Sequence, residues 1–129
     1  MFRVRQQFSA TPPVDVAASV ADGFATIRDQ LKPGMRVAVG VGSRGISNLA
    51  KVVAAVIGEL KSAGAEPFIL PAMGSHGGAT PEGQAGLLAD YGVTEASMGV
   101  PVRASMEAES LGQVEGGQDV PWSCEALAA

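Results

Sequence analysis

The chain's only histidine, His76, lies in the glycine-rich run Pro71-Ala-Met-Gly-Ser-His-Gly-Gly-Ala-Thr-Pro-Glu82. Histidine is the side chain whose unperturbed titration falls near neutral pH, so His76 is the first candidate for proton transfer. A second loop, Gly42-Ser43-Arg44-Gly45, holds an arginine whose planar fork suits a carboxylate or a phosphate. If the two loops meet, His76 can exchange a proton with whatever anion Arg44 holds, with Ser43 beside it. Gly74, Ser75, Gly77 and Gly78 let the backbone approach a ligand closely and form an anion nest. Each residue has a plainer alternative. A lone loop histidine also serves as a turn residue or a satisfied hydrogen-bonding group, and Arg44 as a surface charge or a stem packed on a helix.

The elements that must position these loops are legible in the pattern. Residues 66–72 read as a buried strand that runs into the histidine loop. Thr80 as N-cap, Pro81 at the first helical position and Glu82 in the first turn start a helix over 81–91, closed by Gly92. Thr80 also belongs to the predicted anion-binding set. Upstream, residues 36–41 predict an interior strand that ends at the arginine loop. The helix over 47–62 carries Leu49, Val52, Val53, Val56, Ile57 and Leu60, a broad apolar face for packing on a sheet, and Gly64 caps its end. Strand–helix–strand demands a parallel, right-handed crossover. Both loops then leave the same sheet edge, at the strand C-termini where open parallel sheets bind ligands.

The flanks are read the same way. Residues 2–8 alternate imperfectly and predict an edge strand, broken by Thr11-Pro12-Pro13. Val16, Val20, Phe24, Ile27 and Leu31 recur at helical spacing over 14–31, and Lys32-Pro33-Gly34 ends that helix. Thr94 caps a single turn to Met98. Residues 100–102, 110–114 and 119–122 are short strand candidates. Ser123 opens a helix over 123–129 that is too short to hold by itself, and we expect the chain to lead on from it into a second domain. The fold class expected is α/β, a Rossmann-like layered domain with a small, mostly parallel sheet flanked by helices.

Composition narrows the function. At 129 residues and 47% apolar, the chain supports one domain, 1–129, with a modest core. A net charge of −4 argues against nucleic acid and against an anionic membrane surface. The N-terminus lacks the apolar run of a secretory signal, and no stretch is apolar enough to span a membrane. One cysteine, Cys124, fits a reducing cytoplasm and is expected to be inert. The histidine loop lacks the Gly-Lys-Ser/Thr ending of a P-loop. Gly40, Gly42 and Gly45 match a dinucleotide spacing, but Phe68-Ile69-Leu70 stands where the acidic residue should be. Glu107, Glu109, Glu115 and Asp119 read as a solvated face, and no ligand set has metal-binding spacing.

At Gly42-Ser-Arg-Gly-Ile-Ser-Asn48 and Gly74-Ser-His-Gly-Gly-Ala-Thr-Pro-Glu-Gly83 the chain resembles the nickel-dependent lactate racemase family, above all its uncharacterised relatives. The likeness runs over residues 37–112 and includes Ala-Gly-Ala-Glu-Pro-Phe at 63–68 and Tyr-Gly-Val-Thr at 91–94. The resemblance implies a two-domain enzyme with a nickel pincer nucleotide tethered to a lysine. A hydride moves between that cofactor and the 2-carbon of a 2-hydroxy acid, while two histidines exchange the hydroxyl proton. His76 matches the first of them, Arg44 the arginine of the family's Asp-x-Thr-Arg-Pro motif, and Ser43 its threonine. Val41 stands in place of the motif's aspartate and Gly45 in place of its proline, so substrate recognition is expected to differ from that of lactate racemase. The family's second histidine, tethering lysine and nickel-binding histidine have no counterpart in this chain.

The resulting expectation is the N-terminal half of a cytoplasmic 2-hydroxy-acid racemase or epimerase. His76 is its acid/base, Arg44 its anion anchor, and the missing C-terminal domain its partner. Alone it is expected to be inactive and prone to self-association. The alternative is a non-catalytic anion- or nucleotide-binding module acting through a partner.

Overall fold

The computed structural model describes residues 3–9 and 12–129. Its centre is the predicted βαβ unit: β1 (Arg36–Val41), α2 (Leu49–Ser62) and β2 (Glu66–Pro71), preceded by α1 (Val16–Ala25). β1 and β2 pair in parallel, with Arg36 opposite Glu66, Val39 opposite Ile69 and Val41 opposite Pro71. One face of this pair carries the core. Val39, Val41 and Ile69 meet Leu49, Val53 and Ile57 of α2, which recur every four residues along one helix stripe. Leu88, Val93, Met98 and Val100 complete the cluster, and Ile69 and Leu88 are fully buried.

α2 ends as its sequence predicts. Gly64 adopts φ +80°, and the Ala65 N–H reaches back to the Leu60 carbonyl at 3.0 Å, a Schellman closure. The helix after the histidine loop, α3 (Pro81–Asp90), starts where Thr80 accepts from the Gly83 N–H at 3.1 Å. α4 (Glu95–Met98) survives at one turn because Thr94 and Ser97 form a reciprocal capping box.

Among the described residues no long helix packs on the opposite face of β1–β2. Phe68, 3% exposed, is covered there by guanidinium planes instead: Arg103 lies 4.8 Å and Arg36 5.7 Å from its ring centre. Arg103 also pairs with Glu125 at 3.4 Å, which ties α5 (Cys124–Leu127) to that side.

Four expectations are corrected. Residues 3–9 form no strand, while Phe2 and Thr11 lie outside the described residues. The imperfect alternation leaves Val4 and Phe8 at the surface, with no apolar face to bury against β1. α1 stops at Ala25, short of Leu31, because the Thr26 hydroxyl bonds back to the Gly23 carbonyl and Ile27 leaves helical geometry; a 3-10 turn at Arg28–Gln30 follows. The strand expected over 100–102 shrinks to a single parallel bridge between Val102 and Ile69. The one sheet expected is two: β3 (Ala108–Gln113) and β4 (Asp119–Ser123) pair antiparallel as a separate hairpin, bulged between Ser110 and Gln113. The fold is mixed α/β, and no helix among the described residues is long and apolar enough to cross a membrane.

Candidate functional site

β1 and β2 end in register, and the ladder runs one step further through the Ala72 N–H to the Val41 carbonyl, 2.8 Å. The two loops therefore leave the sheet side by side. Gly42 faces the Ala72 carbonyl, which would lie 3.6 Å from a Cβ at that position. Between the loops opens a cleft of about 400 Å³ lined by Gly42, Ser43, Arg44, Ile46, Ala72, Met73, Gly74 and His76. Residues 33 apart in the chain meet in it: Ser43 Oγ lies 2.6 Å from His76 Nδ1. Nε2 has no hydrogen-bond partner among the described residues, and the exposed Arg44 makes no ion pair among them.

The histidine loop is built by its own backbone. His76 opens a 3-10 turn, with its N–H on the Met73 carbonyl at 3.3 Å, and the Ala79 N–H closes on the Ser75 carbonyl at 3.2 Å. Gly74, Gly77, Gly78 and even Ala79 take positive φ, between +53° and +70°. For Ala79 that conformation costs about 1–2 kcal/mol, which the surrounding turn must offset. Gly77 presses against the first turn of α3, where an added Cβ would fall 2.4 Å from the Gly83 carbonyl carbon.

The predicted residues thus divide by task. Ser43, Arg44, Gly74 and His76 line the cleft. Ser75, Gly77 and Thr80 shape the turn, since the Thr80 hydroxyl donates to the Gly77 carbonyl and accepts from the Gly83 N–H, both at 3.1 Å. Gly78 supplies a left-handed step beside them.

Two supports escape a reading of the sequence. Gln84, 4% exposed, donates Nε2 to the Gly74 carbonyl at 2.7 Å and pins the loop from beneath. Tyr91, the C-cap residue of α3, donates its hydroxyl to the Ser43 carbonyl at 3.1 Å. The one available signal for Gln84 was a polar residue one helical turn beyond the N-cap, on the stripe that must face the loop.

Two helix starts face this end of the sheet. α2 follows Asn48, which is left-handed (φ 60°) and gives no side-chain cap; the Leu49 N–H turns back to the Ile46 carbonyl at 3.2 Å, and the Ala50 and Lys51 N–H groups have no backbone partner among the described residues. A larger hollow, about 570 Å³, lies between α1 and α2, but its carboxylate, Asp15, is engaged with the Ala18 N–H and it brings no histidine. Among the described residues no three of His, Cys, Asp and Glu are grouped to hold a metal ion. The Cys124 thiol lies far along the chain from this cleft, and partial burial, then the Glu109 and Glu107 carboxylates, push its pKa up.

Comparison with models of known families, with curated proteins and with solved structures gives no match.

Proposed function

We propose that this chain is the N-terminal, proton-transferring half of a cytoplasmic 2-hydroxy-acid racemase or epimerase of the lactate racemase-like kind, inactive by itself. The observation that carries the reading is the meeting of Ser43 and His76 at 2.6 Å, in a cleft that also receives Arg44. That is the constellation the two loop motifs call for, and it sits where parallel βα units bind ligands. On this reading the β1–α2–β2 unit is the nucleus of a Rossmann-like layer that a second domain completes.

The chemistry follows from the side chains. A 2-hydroxy acid presents its carboxylate to the Arg44 guanidinium, and the positive end of α2 adds a favourable field. Its 2-hydroxyl then points at His76, whose Nε2 takes the hydroxyl proton and returns it, while the hydride leaving the 2-carbon would need a two-electron acceptor that a second domain brings. Among the described residues there is no ligand set for the nickel of a pincer cofactor. The absence of an aspartate at Val41 and of a proline at Gly45 leaves this loop wider in its chemistry than that of lactate racemase, and favours a 2-hydroxy acid other than lactate.

The test is replacement of His76 by Ala in the complete enzyme. Turnover is expected to fall about 10²–10⁴-fold, the usual worth of a positioned acid/base. Unchanged turnover would reject the assignment.

A second reading, anion binding without chemistry, draws on the four left-handed residues of the histidine loop and on the unpaired Arg44. It predicts that phosphate or a nucleotide binds the His76→Ala chain as well as the native one and fails to bind Arg44→Ala. Loss of binding in both variants would count against it.

A further inference from the structure

The imidazole of His76 has two nitrogens, and the site uses them differently. Nδ1 is held by Ser43 Oγ at 2.6 Å, whereas Nε2 has no partner among the described residues. Ser43 is itself anchored from the other side, since its carbonyl accepts the Tyr91 hydroxyl at 3.1 Å. The glycine loop that carries His76 is fixed by Gln84 on the Gly74 carbonyl. Both partners of the Ser43–His76 contact are thus held from α3 and its C-cap, Gln84 in the first turns and Tyr91 at the end. A hydroxyl held this way can donate to Nδ1 or accept from it. Only the second arrangement leaves a lone pair on Nε2.

We propose that Ser43 is a positioning residue for His76: its Oγ accepts the Nδ1–H and keeps the Nε2 lone pair turned to the cleft. This rests on the reading of His76 as the site's proton carrier. In the neutral ring, Nδ1–H donates to Oγ and Nε2 is bare. When Nε2 takes the proton of the substrate hydroxyl the ring becomes imidazolium, and Nδ1–H still donates to the same oxygen. The proton leaves by the same path in reverse, so neither the ring nor Ser43 has to move during the cycle. Ser43 also keeps its own O–H free for the bound anion. Most histidines that work in this way lean on a carboxylate or a carbonyl, and a neutral hydroxyl orients the ring without adding a negative charge beside the substrate carboxylate.

The chain's single histidine makes the test direct, because a uniformly ¹⁵N-labelled chain gives one pair of ring resonances. With the ring neutral, Nδ1 of the native chain is expected to show the protonated, pyrrole-like shift and Nε2 the bare, pyridine-like one. Free histidine favours the opposite tautomer. Ser43→Ala is expected to reverse the pattern, so that Nδ1–H falls from the major to the minor form, and Ser43→Thr to restore it. A native ring with the proton on Nε2 would overturn the inference, with or without a folded alanine variant. So would a Ser43→Ala chain that keeps the native pattern. The racemase reading fails separately: a complete enzyme that tolerates His76→Ala rejects that reading while the ring spectrum still decides the placement of Ser43.

Discussion

α3 contains two glycines, Gly83 and Gly86, which should answer the same substitution with opposite signs. Gly86 is interior and Gly83 sits in the first turn, and in helical backbone Gly→Ala ordinarily stabilises by up to about 1 kcal/mol through backbone entropy. At Gly86 nothing lies within 4 Å of the Cβ that alanine would add. At Gly83 that Cβ would fall 1.8 Å from the Gly77 carbonyl oxygen and 2.8 Å from the Thr80 Oγ1. Both obstacles belong to the turn that holds His76, and the nearer is backbone, so no rotamer change relieves the contact. Overpacking of this kind costs about 3 kcal/mol at the upper end of its usual range, which outweighs the propensity gain and leaves a net loss of about 2 kcal/mol. For a chain of 129 residues the unfolding entropy converts 1 kcal/mol into about 3–4 °C. Gly86→Ala should therefore raise Tm by about 3–4 °C and Gly83→Ala lower it by about 7 °C. Thermal unfolding followed by circular dichroism measures both. Gly83→Ala should also shift the amide resonances of residues 74–80, which Gly86→Ala leaves in place. If Gly83→Ala stabilised the chain as Gly86→Ala does, the close packing of the histidine loop on α3 would be refuted, and with it the rigid frame assigned to the site.

Gln84→Leu removes the donor to a part-buried carbonyl, and is expected to cost about 1–3 kcal/mol in urea unfolding while broadening the amide signals around Gly74. A loss under about 0.5 kcal/mol with sharp signals would show that the loop stands without it. For Cys124, partial burial and the Glu109 and Glu107 carboxylates all oppose the thiolate, so at a fixed mildly alkaline pH the thiolate fraction is lower than in a free cysteine. Alkylation by iodoacetamide should accordingly run slower than on a free cysteine peptide and speed up in Glu107→Gln/Glu109→Gln, and an equal rate in native and doubly substituted chains would count against the electrostatic cause.

The local sequence determined those elements whose signals are local. Thr80-Pro81 starts α3, Thr94 caps α4 and Gly64 ends α2, each because one or two side chains or a permissive backbone satisfy helix-end groups within a few residues. The βα alternation also settles that two glycine loops emerge at one edge, since a parallel pair connected by a helix has no other arrangement. Local pattern failed where the outcome depended on a distant surface. The alternation at 3–9 found no edge to pair with, and the helical spacing through Leu31 was interrupted by a threonine hydroxyl bonding its own backbone. Only the tertiary structure decided that Ser43 and His76 touch, that Gln84 and Tyr91 hold their loops, and that Gly77 must be a glycine because α3 lies against it. Those contacts join residues up to 48 positions apart, and their geometry is fixed by the register of β1 on β2, a quantity that no short window of sequence contains.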